Sequence, residues 1–123
     1  MDLILLPDSL AICRLDKDAQ IPDWALAGSF YPVSRTEDEL SIVCPDGHPP
    51  SGTKFDSGWR ALKVQGPFAL DEIGVLAGIT APLAEAGIPV FVISTFDTDY
   101  LLVKELHLSK AIRLLSSGYT IHT

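Results

Sequence analysis

From residue 59 onward the apolar positions fall into segments whose spacing alternates between that of strands and that of helices. Residues 59–64 predict a strand, with Trp59 and Ala61 on one face and Leu62 and Val64 on the other. Gly66-Pro67 breaks it. A helix is predicted over 70–86, with Ile73, Leu76, Ala77, Thr80, Leu83 and Ala84 on one stripe. Gly87 is its natural stop. Pro82 falls inside the pattern, removes a hydrogen bond to Gly78 and predicts a kink. Residues 89–96 are almost entirely apolar, as expected of a central strand covered by helices. Asp97-Thr98 makes a tight turn, and 99–103 returns as the next strand. A second helix is predicted over 106–117, with Leu108, Ala111, Ile112 and Leu115 on one face and Gly118 as its cap; 119–122 closes the sheet. The order is strand, helix, strand, strand, helix, strand. It predicts an α+β fold, a ferredoxin-like βαββαβ unit with both helices on one face of a four-stranded antiparallel sheet.

The first half is less regular. Residues 10–15 read as a strand, 16–18 as a charged turn, and 24–27 as one helical turn entered after Pro22-Asp23 and stopped by Gly28. Residues 30–35 and 40–44 read as two strands joined by Thr36-Glu37-Asp38-Glu39. Residues 45–58, with three prolines, read as a loop. No helix follows the hairpin. The chain therefore divides into a reduced, β-rich half at 1–58 and a complete βαββαβ half at 59–123. With 123 residues, two separate halves would each be marginal, so they are expected to share a core or to dimerise. Residues 59–64 would be central to the joint, with Trp59 and Phe68 buried.

Charge narrows the function. The formal net charge is −7, and ten of the sixteen acidic side chains lie in residues 1–58. No cluster or stripe of Lys and Arg is present to neutralise phosphates, which speaks against nucleic acid and against an anionic membrane surface. The opening Met1-Asp2-Leu3-Ile4-Leu5-Leu6-Pro7 lacks a positive n-region, and its apolar run is too short for a signal peptide or a membrane span, so a cytoplasmic location is expected. Cys13 and Cys44 show no metal-ligand spacing and sit in apolar runs, as buried reduced thiols would. Gly47-His48-Pro49-Pro50-Ser51-Gly52-Thr53-Lys54 imitates a phosphate-binding loop. Its Thr and Lys are in reverse order, two prolines remove N–H donors and no helix follows. No nucleophile signature accompanies His48, His107 or His122. Neither an enzyme nor a bound metal or cofactor is expected.

Two segments carry a more specific resemblance. Leu70-Asp71-Glu72-Ile73-Gly74-Val75-Leu76-Ala77-Gly78-Ile79 leads to Ala81-Pro82-Leu83-Ala84-Glu85-Ala86-Gly87-Ile88. Val92-Ile93-Ser94-Thr95-Phe96-Asp97-Thr98-Asp99-Tyr100-Leu101-Leu102-Val103 follows. Together they resemble the ACT domains of the cytosolic arginine-sensor (CASTOR) family and of its small bacterial relatives, which pair a truncated ACT-like unit with a complete one. The resemblance implies a regulatory module that binds an amino acid. In the sensors the ligand lies between two ACT domains. It touches the loop into the first helix and the end of the strand carrying S-T-F-x-x-D. On this chain the implied site is Ala69, Leu70, Asp71, Glu72, Gly74, Thr95, Phe96, Thr98 and Asp99. The sensors have four ACT units, whereas this chain has two at most. The facing surface must come from the first half or from a second chain, and a homodimer is expected. The alternative is a protein–protein interaction module with a vestigial ligand site.

Physical chemistry gives these residues two readings. Asp71 and Glu72 complement a helix dipole, or accept from a ligand ammonium. Unpaired N–H groups at the helix start could hold a carboxylate, and Gly74 would let it come close. Asp97 suits a turn. Asp99 opens a buried strand, where a carboxylate is costly without a partner. Glu72, Asp99 and the backbone around 70–74 are therefore expected to line one pocket, with Thr95 and Phe96 within reach.

Overall fold

The chain opens with a strand, β1 (Asp2–Leu5), whose partners come from the far end of the sequence. In the computed structural model, which describes residues 1–66 and 73–123, β1 runs antiparallel to the end of β5 (Lys54–Val64) and parallel to β8 (Thr120–His122). Met1–Pro7 consequently groups with Arg60–Thr123, and Asp8–Trp59 forms a second unit. The first seven residues thus leave the half to which the sequence assigned them. The cause is apolar pairing: Leu3 lies opposite Val64 and both are fully buried.

Within Met1–Pro7 and Arg60–Thr123, the end of β5 is followed by α1 (Val75–Glu85), β6 (Phe91–Ser94), β7 (Asp99–Lys104), α2 (Glu105–Leu115) and β8. This is the expected βαββαβ order. β7 lies between β5 and β6. The sheet departs from a four-stranded antiparallel one, because β1 is inserted between the first and last strands and runs parallel to β8. Ile79 and Leu83 of α1 and Ala111 and Leu115 of α2 pack with Leu3, Leu62, Val64, Leu101 and Val103 of the strands in one cluster. Alternation therefore turns Lys63 and Tyr100 away from the helices.

The first helix is shorter than expected. It starts at Val75, after Gly74 in the left-handed region, and Ile73 is 94% exposed. Its packed face is Val75, Leu76, Ile79 and Leu83, so Ile73, Ala77 and Ala84 drop out of the expected stripe. It ends as Gly87 predicts. With φ +75°, Gly87 turns the chain so that its N–H reaches the Ala84 carbonyl (3.0 Å) and Ile88 N–H the Leu83 carbonyl (2.9 Å). Pro82 is inside the helix.

In Asp8–Trp59 the sheet order is β3 (Val33–Arg35), β4 (Leu40–Pro45), β2 (Leu10–Leu15) and the start of β5. A single 3-10 turn, Asp23–Leu26, stands where one helical turn is expected. Its buried Ala25 packs with Ala11, Cys13, Leu40, Ile42 and Cys44. β5 begins at Lys54, inside the expected loop. Its register against β2 shifts: Leu10 faces Trp59, yet Ile12 faces Asp56, leaving one extra residue on β5. Gly58, at φ +80°, takes up that bulge. Trp59 is half-buried, and its indole N–H donates to Asp56 Oδ1 at 3.2 Å. Phe68 lies outside the described residues. Among the described residues no helix is long and apolar enough to cross a membrane.

Candidate functional site

The turn between β6 and β7 is held by its own threonines. Thr95 N–H donates to the Thr98 carbonyl at 2.8 Å. The Thr95 hydroxyl donates to the same carbonyl at 3.1 Å and accepts from Thr98 N–H at 3.3 Å. The Thr98 hydroxyl, in a side chain only 4% exposed, donates to the Val64 carbonyl. That bond ties the turn to the end of β5. It sets Lys63 and Gly66 beside Thr95, Asp97, Thr98 and Tyr100, and these six residues line a cavity of about 190 Å³.

Thr95 and Thr98, expected in a site, come together here. Asp99 does not join them: it faces Ser94 across the β6–β7 ladder, and the Ser94 hydroxyl donates to its Oδ1 at 2.5 Å. The partner that a half-buried carboxylate requires is thus supplied from inside the protein. Phe96, 78% exposed, and Gly74 are not part of the lining. Ala69, Leu70, Asp71 and Glu72 lie outside the described residues. Lys63, Gly66, Asp97 and Tyr100 are lining residues that the sequence did not single out. Lys63 carries a signal, as the one charged residue between the apolar Leu62 and Val64; the sequence around Asp97 signals only a turn.

Larger hollows lie on Asp8–Trp59. One of about 540 Å³ is lined by Asp16, Lys17, Asp18, Ala19 and Asp38, and one of about 490 Å³ lies beside it. Their charged side chains are exposed, as Asp97 is at the β6–β7 turn. The two thiols of that unit, far apart in sequence, sit 4.0 Å from each other as free cysteines. Burial pushes Cys13 up to about 12, and raises Cys44 also. Both stay protonated at neutral pH and offer no nucleophile. Among the described residues no group of His, Cys, Asp and Glu could hold a metal ion.

A family model described as ACT domain matches residues 54–117, just over half the chain and all six cavity residues. The chain belongs to the ACT domain family. A second model, described as an N-terminal domain, matches residues 8–51. The ACT chain is 44% identical to a protein of Agrobacterium tumefaciens of known crystal structure, with a TM-score of 0.92 over 98% of this chain and 90% of that one. It is 41% identical over 58 residues to the human cytosolic arginine sensor for mTORC1 subunit 1, a stretch covering 46% of this chain and 18% of that protein. The match thus spans under a fifth of the length of that relative. The regulatory subunit of aspartate kinase from Thermus thermophilus, in its ligand-free form, shares the fold at 11% identity, with a TM-score of 0.64 over 95% of this chain and 97% of that one.

Proposed function

We propose that this ACT protein is a regulatory module that binds a free amino acid, acting by binding rather than by catalysis. The observation that carries this reading is the polar cavity at the β6–β7 turn, which lies inside the ACT match and sets Lys63 and Asp97 beside the ordered hydroxyls of Thr95 and Thr98. One relative supports it by name, as a cytosolic arginine sensor. In this reading Asp8–Trp59 is a reduced ACT-like unit and the protein works as a cytoplasmic homodimer. Ala69, Leu70, Asp71, Glu72, Gly74, Phe96 and Asp99 supply further ligand contacts. Light scattering at roughly tens of micromolar that shows only monomer would remove the dimer.

A thermal-shift screen of the twenty standard amino acids tests the function. A ligand at a hundred times its dissociation constant adds about 2.7 kcal/mol of stability. The expected result is a clear rise in Tm with one or a few of them. No rise at millimolar concentration would favour the second reading, an interaction module with a vestigial site. Exposed Ile73 (94%) and Phe96 (78%) speak for that alternative, as apolar groups that a protein partner would cover.

A further inference from the structure

We infer that the cavity at the β6–β7 turn takes its ligand as a zwitterion, with the ligand carboxylate on the Lys63 ammonium and the ligand ammonium on the Asp97 carboxylate. The inference rests on the amino-acid reading and names the two residues that recognise the ligand. It follows from which lining groups still have open valence. The hydroxyls of Thr95 and Thr98 are already committed, the first to the Thr98 backbone and the second to the Val64 carbonyl. Lys63 and Asp97 are different. Among the described residues neither takes part in an ion pair, although they line the same cavity with opposite sign.

Lys63 is half-buried on the sheet face turned from the helices, and Asp97 is exposed at the turn. A simple anion would leave Asp97 unmatched, and a simple cation would leave Lys63 unmatched. A ligand that carries both charges on neighbouring atoms completes both ends with no net charge brought into the cavity. Each contact is a charge-assisted hydrogen bond. Size and lining limit the rest of the ligand. The cavity measures about 190 Å³ and, among the described residues, has no aliphatic side chain in its wall. A small or polar side chain fits that volume and the described lining.

The test uses the full chain. Each standard amino acid that shifts the Tm is titrated against the parent, Lys63→Met and Asp97→Asn, along with its α-amide and its N-acetyl derivative. Circular dichroism checks that both variants keep the parent fold. The expected binder has a small or polar side chain, and each variant raises its Kd about tenfold or more. The α-amide binds the parent weakly, and Lys63→Met weakens it little further. The N-acetyl derivative behaves in the same way towards Asp97→Asn. If an amino acid binds but neither variant changes its Kd by as much as about threefold, the clamp is wrong and the amino-acid reading stands. If both derivatives bind as tightly as the parent amino acid, the clamp is equally wrong. If no amino acid binds the parent, the functional reading falls and the clamp falls with it.

Discussion

The two units of this chain share one long strand but fill their cores differently. Where two helices cover the sheet, the interior is Leu3, Leu62, Val64, Ile79, Leu83, Leu101, Val103 and Leu115, with Ala111 as its small member. In Asp8–Trp59 a 3-10 turn stands in place of a helix, and the interior is Ala11, Cys13, Ala25 and Cys44 beside Leu40 and Ile42. β5 places Leu62 and Val64 in the first cluster and no side chain in the second. What covers the sheet decides it. The two helices add Ile79, Leu83, Ala111 and Leu115 to the first interior, whereas the 3-10 turn adds Ala25 and part of Trp24 to the second. The first arrangement buries more apolar area and stabilises more.

The largest expected effect tests that contrast directly. Leu83→Ala removes a fully buried side chain from between a helix and the sheet, where rigid elements hold the cavity open. It should cost about 4 kcal/mol, towards the upper end for such changes. Leu40→Ala, also at a fully buried position, should cost about 2–3 kcal/mol, because a thin cover collapses more readily. Urea midpoints with an unchanged slope measure both. An equal or greater loss at Leu40 would break the comparison.

The next effect belongs to the thin core alone. Burial pushes the Cys13 thiol from 9.0 up to about 12. Below pH 9 the thiol is protonated whether the chain is folded or not, and its contribution is fully present. Above that, the unfolded chain loses the proton while the folded one keeps it, so stability falls as pH rises towards 12. The decline is about 1.4 kcal/mol per pH unit, or roughly 2–3 kcal/mol near pH 11. Cys44, raised as well, adds in the same direction. Denaturant unfolding of the parent and of Cys13→Ala across this range gives the check. The variant should show the shallower decline, and parallel curves would mean that the thiol is not held protonated.

How much of this could be read from the sequence follows from the same contrast. β2 appears as expected at Leu10–Leu15, and α2 at Glu105–Leu115 nearly so, because each has a clear period and a flanking break. β1 was missed. Leu3-Ile4-Leu5-Leu6 is a short apolar run that carries no sign of its partners, and β5 and β8 come from the other end of the chain. The start of β5 reads as loop because Lys54, Phe55, Asp56 and Ser57 are exposed and Gly58 makes a bulge, so neither alternation nor burial marks that stretch. Of the site, Thr95 and Thr98 were legible through the S-T-F-D-T-D stretch. Lys63 and Tyr100 were not, because the pairing of β7 with β5 and the bond from Thr98 to Val64, neither visible in the sequence, bring the end of β5 to the turn. Asp99 opens β7 half-buried, and Ser94 on the facing strand donates to it.

Gly58→Ala asks whether the bulge matters where β5 passes from one unit to the other. An added Cβ would meet nothing within 4 Å, so the penalty is that of the left-handed backbone alone. About 1–2 kcal/mol is expected, visible as a lower urea midpoint. The loss should be smaller than that at Leu40. The Gly58 N–H donates to Asp46 Oδ2 (3.3 Å), which also accepts from the Ser9 hydroxyl (2.6 Å). A loss above about 3 kcal/mol would show that this whole carboxylate cluster comes apart with the turn, and that the thin unit depends on polar ties more than on its core.

The smallest expected effect lies on the exposed side of α1 and has two opposing parts. Gly78 is within α1, where replacing glycine by alanine favours the helix by about 1 kcal/mol. A Cβ there would lie 3.0 Å from the Tyr119 hydroxyl, tighter than ordinary contact. Tyr119 packs its ring against the core cluster, and the following Thr120 N–H donates to the Met1 carbonyl at 3.1 Å, so the ring cannot swing away freely. Gly78→Ala should therefore stay within about 0.5 kcal/mol of the parent. Tyr119→Phe removes the offending oxygen and keeps the ring. In that background the same substitution should recover most of the helical gain, about 1 kcal/mol, so the pair should be non-additive by several tenths. Additive values would mean that Tyr119 yields without strain. In that case the packing between α1 and the approach to β8 is looser than the aliphatic core beside it.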